Sequence, residues 1–224
     1  MNQQLDPATE AMWDAFNRFH YLCDTHRFQK LLARADFVRR VADIPGDVVD
    51  AGTFKGVSTI EFAHFLKIFQ PNGNAKVLSF DTFDAVFPRV RMDERQSAED
   101  HGRLFEASAY DQILEAVERH HLSQRVEIVK GDITETFPAY LNSNPGFRIN
   151  LLHCDLDVYP ATKVLLELAW PRLVRGGIAV FDQYAVGKWG ESDAVDEFFA
   201  TLDNPPVLKT ALGSPTPTAY CIKS

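Results

Sequence analysis

Three carboxylates stand directly after two short apolar runs, where their side chains could act together. Asp155 and Asp157 follow the run 148–153, and Asp182 closes the run 177–182. Carboxylates gathered in one place repel each other unless protons or a cation compensate their charge. Oxygen ligands of this kind suit Mg²⁺ or another hard divalent ion. We therefore expect a metal site; the alternative is that Asp155 contacts a cofactor, Asp182 caps a loop and Asp157 faces solvent.

Short β-rich runs that alternate with helical runs must position these carboxylates. Several of the runs are almost continuously apolar, which is typical of strands covered by helices on both faces. The alternation predicts an α/β fold with a doubly wound parallel sheet, and ligands bind such sheets at the carboxyl ends of the strands. The candidate strands are 47–51, 76–81, 125–129, 148–153, 177–182 and 218–222. One candidate helix follows Gly56, and the others are 110–121, 134–141, 161–173 and 192–202.

Two segments depart from the alternation. Residues 1–45 carry aromatic and aliphatic side chains at helical spacing and end at Pro45-Gly46, which predicts an N-terminal helical extension before a domain spanning 46–224. The polar stretch 83–107 interrupts the domain after its second strand. We expect this stretch to be either a lid over the site or a solvated surface loop of mixed charge.

The first strand leads into the segment Asp50-Ala51-Gly52-Thr53-Phe54-Lys55-Gly56-Val57-Ser58. Gly52 permits a tight turn close to a ligand, and the next helix offers free N–H groups. A dinucleotide would require the pattern G-x-G-x-x-G, but Asp50 stands at its first glycine and would repel a pyrophosphate. The same charge favours the cationic end of S-adenosylmethionine (SAM). The residues expected to bind SAM here are Asp50, Gly52, Thr53, Lys55 and Ser58.

Acidic residues also end the second and third strands. Asp81, followed by Thr82, could accept two hydrogen bonds from a ribose diol. Asp132 could accept a hydrogen bond from the adenine amino group, while Ile133 packs on the face of the ring. The alternative for Asp132 is a cap on the helix that follows. Its place in series with Asp50 and Asp81 favours binding of the cofactor.

Composition limits the partners of the chain. The formal net charge is −8 and there is no basic run, so binding to a nucleic-acid backbone is not expected. The first residues lack the features of a signal peptide, and no apolar stretch approaches the roughly 20 residues needed to span a bilayer. The sequence therefore predicts a cytoplasmic protein with a small-molecule partner and no membrane association.

Several of these segments together resemble the macrocin O-methyltransferase family of SAM-dependent sugar and natural-product methyltransferases. The resemblance implies a class I methyltransferase fold, Rossmann-like, with a mostly parallel seven-stranded sheet. It also implies Mg²⁺-assisted methyl transfer to a hydroxyl of a sugar or glycosylated metabolite. The matching segments lie between about residues 27 and 203 and are 44–58, 79–83, 155–162 and 176–184, with 191–199 matching the helix after the metal loop.

By matching position, the resemblance makes Asp155 and Asp182 metal ligands and Asp157 the candidate general base, so that Asp155 and Asp157 are the catalytic pair. The family commonly carries a second acidic residue where this chain has Gln183. An amide oxygen can still bind Mg²⁺, but it brings no charge, so the expected affinity is lower. The resemblance also suggests a homodimer in which the N-terminal helices cover the partner's site; alternatively, they pack on their own sheet.

Two other functions remain open on the sequence alone. An NAD-dependent oxidoreductase would use the same type of sheet, although the glycine pattern for a dinucleotide is missing. A catalytically degenerate methyltransferase fold could serve only to bind SAM or a partner, which Gln183 makes conceivable. Stabilisation by SAM but not by NAD would exclude the first, and turnover would exclude the second.

Overall fold

The computed structural model describes residues 6–84, 86–104, 109–211 and 215–224. Two helices come first, and strands then alternate with helices along the rest of the chain. The helices are α1 (Pro7–Leu22), α2 (Thr25–Arg40), α3 (Val57–Phe69), α4 (Arg95–Leu104), α5 (Tyr110–Arg119), α6 (Ile133–Ser143), α7 (Tyr159–Ala169) and α8 (Glu191–Ala200), with a 3₁₀ turn at Trp170–Arg172. The strands are β1 (Asp47–Ala51), β2 (Val77–Asp81), β3 (Val126–Lys130), β4 (Ile149–Cys154), β5 (Leu173–Phe181) and β6 (Ala219–Ile222).

The strands form one sheet in the order β3-β2-β1-β4-β5-β6. All neighbours are parallel except β5 and β6, which confirms the predicted doubly wound, mostly parallel sheet. The chain winds outward in both directions from β1 and β4, so the topological switch point lies between these two strands. Ligands of such sheets bind in the crevice at this point.

The seventh strand implied by the resemblance is not confirmed, because the described residues form six. An isolated antiparallel bridge joins Lys209 to Tyr220 on the outer edge of β6. The amide of Lys209 donates to the Tyr220 carbonyl at 2.9 Å, and the reverse hydrogen bond is 2.8 Å long. The Lys209–Tyr220 pair therefore occupies the position where a seventh strand would pair with β6.

Helices cover both faces of the sheet, as the apolar strands predicted. On one face α6, α7 and α8 contribute Phe137, Leu165 and Phe199 to an apolar layer. On the other face the layer includes Phe37 of α2 and Phe62 of α3. Burial of each such side chain contributes about 1.5–3 kcal/mol. These two layers fix the strands whose carboxyl ends form the site.

The two N-terminal helices differ in how they pack. α1 buries none of its residues, and Trp13 and Phe16 are 48% and 54% exposed. α2 buries Ala33, Phe37 and Val38 against the sheet. The division of the chain at residue 45 remains a prediction, but α2 contributes to the core of the domain. No helix within the described ranges is both long and apolar enough to cross a membrane.

The polar stretch 83–107 contains α4, although residues 85 and 105–107 lie outside the described part of the chain. Glu94, just before α4, is buried and accepts hydrogen bonds from the backbone N–H groups of Tyr159 at 2.7 Å and Gly190 at 2.8 Å. These bonds hold the stretch against the first residues of α7 and α8. Of the two alternatives, this placement favours a cover over the site.

Candidate functional site

A cavity of about 420 Å³ opens at the carboxyl ends of the parallel strands. Its volume lies within the ~300–1,000 Å³ typical of small-molecule sites. Hydrogen bonds between neighbouring strands continue past the strand ends, since Asp155 N donates to Ala51 O and Asp182 N to Cys154 O. The residues predicted to bind cofactor or metal that line the cavity are Gly52, Asp81, Thr82, Asp132, Ile133, Asp155, Asp157, Asp182 and Gln183.

Four residues predicted to bind SAM are not among those lining the cavity: Asp50, Thr53, Lys55 and Ser58. The Asp50 carboxylate is fully buried. It accepts hydrogen bonds from Ser58 Oγ at 2.8 Å and Thr59 Oγ1 at 2.6 Å, and His153 Nδ1 lies 2.8 Å away. Lys55 lines a separate cavity beside α3 and α5. In this structure Asp50 and Ser58 tie β1 to α3 and β4.

The Asp50 network predicts pH-dependent stability. Burial raises the pKa of Asp50, but hydrogen bonds from His153, Thr59 and Ser58, together with the charge of His153, outweigh it and place the pKa below its usual value. Stability from a lowered carboxylate pKa is present above the unfolded-state pKa and is lost as pH falls through the folded-state pKa. We expect Asp50→Asn to cost about 2–4 kcal/mol at pH 7, because it breaks a buried charged network.

Urea unfolding at pH 7 and pH 3.5 measures this effect, with the exposed Asp203→Asn as a matched control. The stability difference between Asp50→Asn and the wild type should shrink at the lower pH, where the unfolded carboxylate is partly protonated. A difference that stays constant across this pH range would contradict the assignment.

Several residues in or next to the cavity wall have left-handed backbone conformations. Gly52 has φ +89°, and an added Cβ would lie 1.8 Å from the carbonyl oxygen of Asp155. The non-glycine residues Phe54, Phe83 and Asp157 also have positive φ, at 50°, 57° and 62°. Such conformations carry strain and often cluster at functional sites. Glycine at position 52 is therefore required for the close approach of β1 to the end of β4.

Asp81 is held between the ends of β1 and β2. Its two carboxylate oxygens accept hydrogen bonds from the backbone N–H groups of Phe54 at 2.7 Å and Phe83 at 2.6 Å. Burial raises the pKa of this carboxyl above its usual value. Each oxygen keeps a further lone-pair position, so the fixed carboxylate can also accept from a diol in the cavity.

Asp132 combines the two roles that the sequence left open. Its side chain caps α6 by accepting from Thr134 N at 2.9 Å, and it also lines the cavity. Arg89, from the stretch that covers the site, donates to the same carboxylate at 3.0 Å. Asp132 therefore joins the cover to the carboxyl end of β3, while Ile133 lies beside it in the cavity wall.

The carboxylates predicted to bind a metal meet at the ends of β4 and β5. Asp182 is 1% exposed and Asp157 is 8% exposed. Burial and the charge of Asp182 raise the pKa of Asp155 to about 8. Burial, followed by the charges of Asp155 and Asp182, raises the pKa of Asp157 well above its usual range. Because neighbouring carboxylates contribute to both shifts, a cation bound at this cluster would oppose them.

Two buried polar atoms face each other at this cluster. Asp182 Oδ1 lies 3.9 Å from His153 Nε2, and neither atom has a hydrogen-bond partner among the described residues. Ligand atoms of His153, Asp155 and Asp182 all lie within 4.8 Å of one another. Carboxylate oxygens in such an arrangement fit a hard divalent cation. The residues present therefore fit the metal that the resemblance implies.

Aromatic rings form one wall of the cavity. Phe87 lies 5.6 Å from Trp189 and 5.3 Å from His101 between ring centroids, and Phe54 lies 5.8 Å from His101. All four rings line the cavity. Aromatic faces of this kind can pack against a planar base or the apolar face of a sugar ring.

Arg27, Lys30, Phe87 and His101 line the cavity but were not predicted from the sequence. They come from α2 and from the stretch that covers the site, neither of which carries a recognisable motif. One signal was present in α2, where Arg27, Lys30 and Arg34 recur at the spacing of one helical face. Arg34 is buried and paired with Glu61 at 2.9 Å, so this cationic face lies against the protein.

Comparison with known families identifies a match over more than half of the chain. A family model described as a methyltransferase domain matches residues 49–184. This range begins in β1 and ends just after β5, so it contains the carboxyl ends of all five parallel strands and every residue predicted to bind metal. The methyltransferase fold expected from the sequence is thereby confirmed.

Two curated relatives are similar over shorter ranges. The chain is 28% identical over 176 residues to the 8-demethyl-8-(2,3-dimethoxy-α-L-rhamnosyl)-tetracenomycin-C 4′-O-methyltransferase of Streptomyces olivaceus, covering 70% of this chain and 64% of the relative. It is 30% identical over 150 residues to the mycinamicin III 3″-O-methyltransferase of Micromonospora griseorubida, covering 64% of this chain and 57% of the relative. The chain thus matches less than two thirds of each relative's length.

Solved structures are similar over almost the whole chain. The calicheamicin methyltransferase CalS11 superposes with a TM-score of 0.82 at 29% identity, covering 98% of this chain and 87% of that one. Its apo form, described as a TDP-rhamnose 3′-O-methyltransferase, has a TM-score of 0.71 at 28% identity and covers 94% and 86% of the two chains. The O-methyltransferase NovP, at 21% identity and a TM-score of 0.74, shares the fold.

Proposed function

Because the chain belongs to this family of methyltransferase domains, we propose that it transfers a methyl group from SAM to a hydroxyl of a sugar or glycosylated metabolite. The observation that carries the proposal is the cavity at the switch point of the sheet. Carboxylates from four strand ends line it, namely Asp81, Asp132, Asp155 and Asp182. The names of the relatives, which act on sugars of natural products, support this acceptor class.

The cofactor would lie across the ends of β1, β2 and β3. Asp81 is fixed by two backbone donors and would accept from the ribose hydroxyls. Asp132 and Ile133 would contact the adenine, and Gly52 leaves room for the ligand at the end of β1. The methyl group would then point towards Asp155 and Asp157, since these residues follow the strand next to β1.

We propose that Asp155, Asp182 and Gln183 would hold a divalent ion, with Mg²⁺ as the candidate. When bound, the ion would supply Lewis-acid chemistry and lower the pKa of an acceptor hydroxyl. The unpartnered Asp182 Oδ1 supports this placement. Gln183 also has a fixed position, because its backbone N–H donates to the buried Glu191 carboxylate at 2.8 Å.

Asp157 would accept the proton of the acceptor hydroxyl. It lines the cavity beside Asp155, and its raised pKa makes the ionised carboxylate a stronger base than an exposed aspartate. Transfer requires the acceptor oxygen, the methyl carbon and the sulfur in line, and the walls of the cavity would supply this alignment. The stretch carrying Phe87 and His101 would exclude water from the reacting atoms.

We also propose that the protein is a cytoplasmic homodimer. α1 presents Met12, Trp13 and Phe16 to solvent, at 57%, 48% and 54% exposure. Apolar surface of this kind is often buried against a partner, and a second copy of the chain is the partner that the resemblance suggests. The acidic net charge of −8 gives no support to a nucleic-acid substrate.

Thermal unfolding with SAM, and separately with NAD, tests the cofactor. SAM at a hundred times its Kd should stabilise the protein by about 2.7 kcal/mol, whereas NAD should have no effect. Formation of S-adenosylhomocysteine (SAH) with nucleotide-sugar and glycosylated acceptors tests the reaction, and EDTA should suppress it. Stabilisation by NAD but not by SAM would contradict the proposal, and full activity in EDTA would remove the metal from it.

A further inference from the structure

An ammonium group already lies at the carboxylate cluster. Lys30 Nζ is 3.0 Å from Asp182 Oδ2 and 3.8 Å from Asp155 Oδ2. The Lys30 side chain is only 17% exposed, and that of Asp182 is 1% exposed. An ion pair in this position is weakly screened by solvent, so its electrostatic effect on the two carboxylates is large.

The helix that carries Lys30 is firmly packed. α2 buries Ala33, Phe37 and Val38. Arg34, one helical turn after Lys30, is also buried and pairs with Glu61 of α3. The backbone of Lys30 is therefore fixed, while its long flexible side chain places the ammonium at the carboxylate cluster. Rotation of the side chain can withdraw the charge without moving the helix.

The same two carboxylates are the proposed ligands of the divalent ion. A cation that binds them must approach the ammonium closely, and two like charges at that distance repel. Gln183 brings no negative charge to offset the repulsion. The ammonium and the ion therefore cannot both be fully bound to Asp155 and Asp182.

We propose that Lys30 is a tethered cation that competes with a divalent ion for Asp155 and Asp182. This inference rests on the proposed ion site and adds a positioning residue to it. Without an ion, Lys30 holds the carboxylates in place and compensates part of their charge. An ion binds only by displacing the ammonium. The affinity of the site for the ion therefore depends on Lys30 of α2 as well as on the residues that bind the ion.

Mn²⁺ binding to the full chain, measured by isothermal titration calorimetry, tests the proposal. Lys30→Met should bind Mn²⁺ at least about ten-fold more tightly than the wild type, equivalent to ~1.4 kcal/mol. Lys30→Arg, which keeps the charge, should remain close to the wild type. Lys67→Met removes the same charge from an exposed position outside the cavity and should also leave the affinity unchanged.

A second substitution locates the effect. In the Asp182→Asn background, where the main ion-pair partner of Lys30 is absent, adding Lys30→Met should raise the Mn²⁺ affinity clearly less than it does in the wild type. If Lys30→Met is poorly folded by circular dichroism, Lys30→Gln gives the same comparison with a polar side chain. Equal or weaker Mn²⁺ binding in the folded neutral variant, or no Mn²⁺ binding in any variant, would overturn the proposal. SAM binding is measured separately, so a failure of the proposed methyltransferase function can be told apart from a failure of the proposed competition by Lys30.

Discussion

Replacing Asp157 with asparagine is expected to lower kcat by about 10²–10⁴-fold, the usual contribution of a general base. Affinity for SAM and for its product SAH should stay within a few-fold of the wild type, because the proposed cofactor contacts are made by Asp81 and Asp132. Asp157 is buried beside Asp155 and Asp182 at the end of β4. An amide in the same position fills the same space but cannot take the proton.

Asparagine is preferable to alanine for this test. Asp157 has φ +62°, a left-handed conformation that asparagine adopts more readily than alanine does. Rapid-quench measurement of SAH formation gives the rate of the chemical step, and calorimetry with SAH gives the affinity. Asp203→Asn, at an exposed position, is the matched control. A parallel loss of rate and SAH affinity would show that Asp157 supports the cofactor rather than the proton transfer.

Replacing Gly52 with alanine is expected to weaken binding of SAM, and of its demethylated product SAH, by more than about a hundred-fold, or ~2.8 kcal/mol. The added Cβ would lie 1.8 Å from Asp155 O and 2.5 Å from Asp155 C, so the backbone at the end of β4 must move. The positive φ of Gly52 adds strain of about 1–2 kcal/mol for any other residue. Both the cofactor site and the carboxylate cluster should be lost together.

Gly146→Ala is the matched control, because an added Cβ there meets no atom within 4 Å. Calorimetry with SAH measures the affinity, and urea unfolding shows whether the variant is folded. We expect Gly52→Ala to be destabilised by about 2–4 kcal/mol and Gly146→Ala to match the wild type. Near-normal SAH affinity in folded Gly52→Ala would mean that the cofactor does not lie at the end of β1.

The sheet was predictable because the pattern of apolar residues that indicates each strand lies within a few consecutive residues. Near-continuous apolar runs such as 149–152 and the alternation with helices predicted parallel strands, and every predicted strand lies within a few residues of a strand in the structure. Parallel strands bring their carboxyl ends to one edge, so residues far apart in sequence could be placed together. Asp81, Asp132, Asp155 and Asp182 all line the cavity for this reason.

Other features depended on tertiary contacts that the sequence does not display. Charge alone suggested that Asp50 would face the cofactor, but its side chain faces β4, where His153 and the α3 hydroxyls bind it. α4 is too polar to show an apolar period, and it is positioned by the buried Glu94 just before it. Lys30 reaches the site only because α2 packs on the sheet, which no motif indicated.

The crystal structure of the protein with bound SAH tests the central claim most directly. We expect the ribose hydroxyls to lie on the Asp81 carboxylate, the adenine to lie between Asp132 and Ile133, and the sulfur to be directed towards Asp155 and Asp157. SAH bound outside this cavity, or with its ribose away from Asp81, would contradict it.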